Sequence, residues 1–374
     1  WGGVRAYLTG TPDFGDVTLL AVKMRATDNL SQRSSRMINC VVTRKLPVWS
    51  PENGWSDSQP TQAISWAVVD LLKAKYGAEL SDDRIDLDAL HALDQIWQVR
   101  GDQFNAVFDS GATVWEALGK ILRCGRAVSF LQTGIVRMVR DAPQSLPVAM
   151  FGPRNIVKNS LKIKYLMPSE EMADAVTVEF FSSQTWKPDE VTAALLESQS
   201  EKPAKVTLFG CTDADQAERE GLYMAAANRF RRRMVTFQTE MEGLIPTYGD
   251  LIAITHDMPS WGQGGEVIGW DGAVLTLSEP LEWSEGESHF ITLRHRDGSP
   301  SAAYEVMPGD EANQAVPVAA LKMPPYTGTS AERSYYAFGV AEVWGEMARV
   351  LSVRPRGEQV EIAAVLEGDA VHVN

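Results

Sequence analysis

The apolar and polar residues of this chain alternate at first with the period of a β-strand. Val17 and Leu19 share one parity, and Ile38 and Cys40 share another, with polar turn residues between the two runs. A period of two places successive side chains on opposite faces of a strand, so we predict β-strands in the first fifty residues. The Pro-, Gly- and Ser-rich segment 47–60 then predicts a loop or a domain junction.

After this segment the apolar residues recur at helical spacing. Ile64, Val68 and Leu72 predict a first helix, with Gly77 as its C-terminal cap. Asp86 is a favourable N-cap for a second helix, because its carboxylate can accept a hydrogen bond from a backbone N–H of the first turn. The segment after residue 60 therefore differs in architecture from the strands that precede it.

The third helix has the clearest start signal in the sequence. Thr113, Trp115 and Glu116 belong to a capping box, in which the Thr hydroxyl and the Glu carboxylate each pair with a backbone N–H of the first turn. Residues 127–140 then alternate as a hairpin that turns at Thr133-Gly134. Helices followed by a hairpin predict an α+β segment.

The second half of the chain is rich in strand patterns. Strands are predicted within 159–181, and a long helix over 213–233 begins with the capping-box-like pair Thr212 and Asp215. The strands that follow are short and regularly spaced, and Asp271-Gly272 is a strong hairpin signal. This spacing is typical of β-barrels or β-sandwiches.

A chain of 374 residues exceeds the roughly 250–300 that one hydrophobic core organises, so several domains are expected. We predict an α+β protein that is mainly β, with an inserted α+β segment and one long helix. The predicted division is a β segment (1–48), an α+β segment (49–145), a β domain with the long helix (146–312) and closing strands (313–374).

The formal net charge of −14 disfavours a nucleic-acid-binding protein, because binding to phosphates requires a basic face. The one basic cluster consists of Arg229 and the run Arg231, Arg232 and Arg233. It lies near the predicted end of the long helix, where cations complement the helix dipole, and we prefer this interpretation to a phosphate site.

The side chains that usually bind metals or form disulfides are dispersed. The three cysteines, Cys40, Cys124 and Cys211, include no C-x-x-C pair, which predicts neither a disulfide framework nor a zinc site. His91 and Asp94 lie one helical turn apart, and a surface hydrogen bond is favoured over a metal or acid–base pair. No run of about 18 apolar residues predicts a membrane span.

Two other functional classes remain open at this point. A cell-wall hydrolase would need two carboxylates across a cleft, and Glu240 with Glu242, or Glu282 with Glu285, are candidates that are better explained as solvated charge. A carbohydrate-binding module would use exposed aromatic side chains, and the candidates in the strand-rich region are Trp261, Trp270 and Trp283.

An ordered set of segments resembles the tail tip family of lambda-like phages, known as host specificity protein J. The resemblance covers nearly the whole chain, and its structural motif residues are Thr113, Trp115, Glu116, Phe209, Gly210, Cys211, Thr212, Gly249 and Asp250. Phe209-Gly-Cys-Thr212 followed by a long helix is the most diagnostic piece, although no single motif is specific.

The resemblance implies a homotrimeric hub at the distal end of a tail tube, built from β-barrel domains related to baseplate hubs. It implies other tail tip and tail tube proteins as partners, and a host receptor reached through regions outside this chain. It implies no catalytic residue, cofactor or metal, and a location in the virion tail tip after assembly in the bacterial cytoplasm. Phages, gene transfer agents and tailocins are not separated by these residues.

Overall fold

The computed structural model describes residues 20, 40–166, 173–196, 198, 200, 202–256, 262–296, 298–340 and 345–372. By its internal contacts the chain divides into two units, residues 1–43 and 44–374. The predicted strand residues Val17, Leu19 and Ile38 lie outside the described residues. Cys40 is described, and its placement in a strand is wrong, because it is exposed and belongs to no strand. The elements that follow all belong to the second unit.

The described residues form a mainly β structure with four α-helices, as the sequence predicts. The helices are α1 (Ile64–Lys73), α2 (Leu87–Arg100), α3 (Val114–Arg123) and α4 (Ala214–Phe230). The strands before α4 are β1 (Lys45–Leu46), β2 (Trp49–Ser50), β3 (Gly54–Trp55), β4 (Gln59–Pro60), β5 (Ala127–Gln132), β6 (Ile135–Arg140), β7 (Ala149–Phe151), β8 (Lys162–Tyr165), β9 (Ala175–Ser182), β10 (Lys187–Ala194) and β11 (Pro203–Thr207). Those after it are β12 (Arg233–Thr239), β13 (Leu251–Ile254), β14 (Gln263–Trp270), β15 (Leu275–Leu277), β16 (His289–Arg294), β17 (Tyr304–Pro308), β18 (Gln314–Pro317), β19 (Tyr335–Val340), β20 (Glu346–Arg356) and β21 (Gln359–Leu366).

The first three helices pack with the β5–β6 hairpin around one apolar core. Asp86 caps α2 as predicted, because its carboxylate accepts a hydrogen bond from the Ala89 N–H at 3.1 Å. The predicted cap of α1 at Gly77 is wrong, since that helix ends at Lys73. The chain folds back there instead, and a Cβ on Gly77 would lie 1.7 Å from the Leu71 carbonyl oxygen.

Helix α4 covers one face of the three-stranded sheet β10–β9–β11 and continues the same core. The predicted start at Thr212 and Asp215 is wrong, because the N-cap is Asp213, which accepts a hydrogen bond from the Gln216 N–H at 2.9 Å. The helix also ends at Phe230, three residues before the predicted end. Arg233 already belongs to β12, where it pairs with β8.

A six-stranded sheet forms the second layer of the fold, in the order β7–β13–β20–β21–β12–β8. Its pairs are antiparallel except β7 with β13, and the β20–β21 hairpin turns at Gly357-Glu358. Its core is apolar, with Phe151 against Phe237.

A closed barrel, β14–β15–β18–β17–β16–β19, is inserted in the chain between β13 and β20. The predicted hairpin at Asp271-Gly272 connects β14 to β15. The barrel includes strands on both sides of the predicted boundary at residue 312, because β18 and β19 close it against the earlier strands. The division of the chain into four domains stays a prediction.

Candidate functional site

A largely enclosed network of charged side chains lies where the β5–β6 hairpin, α4 and the six-stranded sheet meet. We call it the ionic junction. Its members are Asp141, Tyr223, Arg231, Arg349, Glu367 and His372. They come from the end of β6, from α4 and its cap, from β20, and from the segment after β21.

Arg231 joins both carboxylates of the ionic junction. Its two Nη atoms donate to Asp141, with Nη2 at 2.9 Å from Oδ1, and Nη2 also lies 2.8 Å and 2.9 Å from the two carboxylate oxygens of Glu367. Tyr223 donates its hydroxyl to Asp141 as well. The guanidinium fork suits this arrangement because it offers several donors in one plane.

Arg349 completes the ionic junction from β20. Its Nε lies 2.9 Å from Glu367 and 3.2 Å from Asp141, and its Nη atoms donate to the carbonyls of Gly249 and Ala142 at 2.9 Å each. One side chain therefore holds the segment after β6, the segment before β13 and the end of β21. Its side chain is 4% exposed.

The electrostatics of the ionic junction follow from burial and from these contacts. Burial acts to raise the pKa of Asp141, but hydrogen bonds and charge from Arg231, with the charge of Arg349, hold that pKa at about 2. At Glu367, burial again acts to raise the pKa. Hydrogen bonds from His372 and Arg231, with the charges of Arg349 and Arg231, nevertheless lower that pKa to about 2. Both carboxylates are therefore charged at neutral pH.

This geometry fixes the relative positions of chain segments. The carboxylates have lowered pKa values and are occupied by guanidinium groups, whereas a general acid or base needs a pKa near the working pH. Buried charges that are paired on several sides resist displacement of any one segment, because a separated partner would remain buried without its counter-ion. The ionic junction is thus suited to rigidity.

A second region, Phe209–Thr212, connects three parts of the α+β core, and we call it the glycine corner. Gly210 has φ +88°, and a Cβ there would lie 2.2 Å from the ring of Phe104. The Gly210 carbonyl accepts a hydrogen bond from the Asn105 N–H at 2.8 Å, and Thr212 Oγ1 accepts one from Asn105 Nδ2 at 2.9 Å. Only glycine meets both the positive φ and the close approach.

The predicted capping box lies on the helix that packs against the glycine corner. Thr113 Oγ1 accepts from the Glu116 N–H at 3.2 Å, and the Glu116 carboxylate accepts from the Thr113 N–H at 2.8 Å, as predicted. Trp115 is half exposed on the same helix. Contact with the corner comes from the other end of α3, where Lys120 lies over the ring of Phe209.

Two buried cysteine thiols form hydrogen bonds at the glycine corner. The Cys124 thiol donates to the Phe209 carbonyl at 3.1 Å, and the Cys211 thiol donates to the Asp213 carbonyl at 3.2 Å. Both cysteines are fully buried and free, and burial raises the pKa of the Cys211 thiol to about 11. These thiols act as small apolar groups with weak donors.

Gly249 and Asp250 lie at the ionic junction, apart from the glycine corner. Gly249 has φ +85°, and a Cβ there would lie 2.9 Å from the side chain of Val139. Its carbonyl accepts the hydrogen bond from Arg349, and Asp250 closes the turn by accepting from the Thr247 N–H at 2.7 Å. The nine predicted motif residues therefore fall into two groups.

Sequence reasoning missed the ionic junction. The only signal was the arginine cluster at the end of α4, which we assigned to the helix dipole. Arg231 instead pairs with two carboxylates, and Arg233 pairs with Glu346 at 2.8 Å. These partners lie about a hundred residues away in sequence, so no local pattern reveals them.

The other residues considered for metal binding or acid–base chemistry do not form a common site among the described residues. Asp94 is buried and accepts a hydrogen bond from Gln98 at 2.6 Å, and it forms none with His91 among the described residues, so the predicted surface hydrogen bond is wrong. Within the part of the chain that the structure describes, no group of three or more His, Cys, Asp or Glu is placed to hold a metal ion.

The two carboxylates of the predicted pair Glu240 and Glu242 have different surroundings. Glu242 pairs with Arg294 at 2.8 Å, whereas Glu240 is exposed. Trp270 and Trp283 pack against the barrel core, where Trp283 contacts Phe338, and Trp261 lies outside the described residues. No described helix combines the length and apolar character required to cross a membrane.

Comparison with known proteins shows that this chain is similar to phage tail proteins. The family model described as "Putative phage tail protein" matches residues 113–267. The matched segment begins at the capping box, and it contains all nine predicted motif residues as well as three residues of the ionic junction, Asp141, Tyr223 and Arg231. The resemblance to phage tail proteins that we stated from the sequence is thereby confirmed.

Individual relatives match more weakly. The Tip attachment protein J of Escherichia phage SECphi27 is 31% identical over 99 residues, which is 25% of this chain and 8% of that protein. A tail protein from Neisseria meningitidis MC58 is 12% identical, with a TM-score of 0.36 over 76% of this chain and 68% of that one. A chain from the virion of a native gene transfer agent particle is 11% identical, with a TM-score of 0.40 over 91% and 56%. Both TM-scores are below 0.5.

Proposed function

We propose that this chain is a hub segment of a phage or prophage tail tip, which assembles as a homotrimer and closes the tail tube. The observation that carries the proposal is the family-model match over residues 113–267, because it includes both the glycine corner and half of the ionic junction. These are the regions that hold the α+β core, α4 and the six-stranded sheet together.

The internal construction supports a scaffold role. A tail hub must transmit force without changing shape, and paired buried charges with close glycine contacts oppose small displacements. The ionic junction joins the α+β core to the six-stranded sheet, and Glu242 with Arg294 joins that sheet to the barrel. The net charge of −14 suits a passage for DNA, since a lumen formed by an acidic protein would repel phosphate groups.

In this proposal the partners are two further copies of the chain, other tail tip and tail tube proteins, and a host receptor bound through other regions. The protein would be assembled in the bacterial cytoplasm and would lie at the virion tail tip. No residue would be catalytic, and no cofactor or metal would be required.

The experiment that tests the trimer is the solution mass of the full chain by sedimentation equilibrium across a range of concentrations. The proposal predicts a species of three times the 41.2 kDa chain mass. A stable monomer at every concentration would contradict trimer formation by this chain. Immunogold labelling of assembled tails supplies the location, and gold at the capsid or along the tail shaft would contradict a tail tip.

Enzymatic and carbohydrate-binding functions are tested separately. A zymogram against purified cell wall should show no clearing, and a glycan array should show no binding by this chain. Clearing that is lost when Glu242 or Glu240 is replaced by Gln would instead establish the hydrolase alternative, and glycan binding lost on Trp283→Ala would establish the carbohydrate-binding alternative.

A further inference from the structure

Arg140, the last residue of β6, is a buried cation that pairs with no carboxylate of the described residues. It is 9% exposed, and it forms no side-chain hydrogen bond or ion pair with the described residues. Its Nε is shielded from solvent and has no acceptor. This differs from its neighbour Asp141, which follows the strand and is paired with Arg231 and Arg349 in the ionic junction.

The charged groups that act on Arg140 already form ion pairs with one another. They are the cations Arg100 and Arg126 and the carboxylates Asp102 and Glu220. Asp102 receives Arg100 at 2.8 Å, and Glu220 receives Arg126 at 3.0 Å and Arg100 at 3.5 Å. Asp102 also receives Arg219 at 2.8 Å. Both carboxylates are therefore engaged by other guanidinium groups, and neither forms an ion pair with Arg140 among the described residues.

A guanidinium does not relieve this lack of a partner by losing its proton, because it stays protonated throughout the pH range that proteins tolerate. Burial, with the positive charges of Arg100 and Arg126, lowers the pKa of Arg140, which confirms that its surroundings disfavour the cation. An uncompensated buried charge is costly, so an anion that reaches Arg140 would be bound favourably.

We propose that Arg140, with Arg100 beside it, forms a binding site for an oxyanion, namely a phosphate or a carboxylate group. A guanidinium presents paired N–H donors at the spacing of two oxygens on either group. Solvent reaches the cluster at Arg100, whose side chain is 18% exposed. The anion has two sources, free phosphate or a carboxylate side chain of a second copy, and this chain carries 49 acidic residues.

Thermal unfolding of the full chain in phosphate and in chloride at equal ionic strength and pH 7 tests the site. For the unaltered chain, the midpoint should rise with phosphate concentration and then saturate, as expected for a ligand that binds only the folded state. Arg140→Met should lose this rise, and in chloride it should be as stable as the unaltered chain or more stable. Arg140→Lys, which keeps the charge but not the paired donors, should retain a weaker rise.

Arg354→Met is the matched control. Arg354 is an exposed residue of β20, so this variant removes one positive charge and should keep the full response to phosphate. An equal loss of response in both variants would show that phosphate acts through net charge and would overturn the proposal.

The second source is measured by sedimentation velocity on the same variants in chloride. If phosphate has no specific effect but Arg140→Met weakens self-association where Arg354→Met does not, the anion is a carboxylate of a neighbouring copy. If Arg140→Met changes neither the phosphate response nor self-association, there is no oxyanion site. This last result leaves the proposed tail function untouched, because Arg140 has no part in the ionic junction or the glycine corner.

Discussion

Arg231 provides the sharpest test of the ionic junction. Its guanidinium is 11% exposed and contacts Asp141, Glu367 and the Tyr223 hydroxyl. Arg231→Met keeps most of the apolar stem but leaves two partly buried carboxylates with fewer partners. Removing one partner of a buried ion pair typically costs about 3–5 kcal/mol. Because Arg349 still contacts both carboxylates, we expect a loss of about 3 kcal/mol in the free energy of unfolding.

The neighbouring residue Arg232 is the matched control. Its Nε donates to the Asn228 carbonyl at 3.2 Å, and it pairs with no carboxylate among the described residues. Both arginines follow the end of α4, so both substitutions remove the same favourable charge from the negative end of the helix dipole. Arg232→Met should therefore cost below about 1 kcal/mol. The difference between the two variants isolates the ionic junction.

Urea unfolding at pH 7, followed by tryptophan fluorescence, measures this difference. Equal losses in the two variants would refute the reasoning, because they would show that the contacts to Asp141 and Glu367 add nothing beyond a helix-end charge. A larger loss for Arg232→Met would refute it as well.

We also predict that Arg231→Met changes how the free energy of unfolding depends on pH. In the folded protein the pKa values of Asp141 and Glu367 are about 2, below their ordinary values of roughly 4 in an unfolded chain. Groups with a lowered pKa stabilise the fold fully above the unfolded value, and this stabilisation is lost as the pH falls from about 4.5 through about 2. In Arg231→Met both pKa values should rise, so the gap to the unaltered chain should narrow across this window. A gap that stays constant down to pH 2.5 would contradict this account.

Two local features give further predictions. Thr113→Ala should reduce the free energy of unfolding by about 1 kcal/mol by removing the capping hydroxyl, whereas Thr185→Ala in an exposed hairpin should change it little in the same urea titration. Gly210→Ala should cost about 2–4 kcal/mol, because a positive φ and overlap with the Phe104 ring act together. Gly357→Ala, which has a positive φ but open space around it, should cost about 1 kcal/mol, and equal costs would remove the steric part of the argument.

Features that depend on neighbouring residues could be read from the sequence. The capping box at Thr113, the N-cap at Asp86 and the hairpins at Thr133-Gly134 and Asp271-Gly272 all occur where they were predicted. Each one is determined by hydrogen bonds or backbone angles within a few residues, so its cause lies inside the pattern itself. Two of the errors were also local, because Asp213 rather than Thr212 caps α4 and the chain folds back onto Leu71 at Gly77. The end of α4 is of the opposite kind, since Arg233 pairs with the distant strand β8.

Only the tertiary structure decided which distant residues meet. Strand periodicity predicted short strands, but the insertion of the barrel between β13 and β20 depends on pairing between strands almost a hundred residues apart. Arg231 looked like a helix-end charge until the fold placed Asp141 and Glu367 against it, 90 and 136 residues away. The strength of a charge pair depends on distance and burial, and neither quantity is encoded in a local run of residues. For this chain, therefore, the sequence determined the individual elements, and the fold determined the contacts that hold them together.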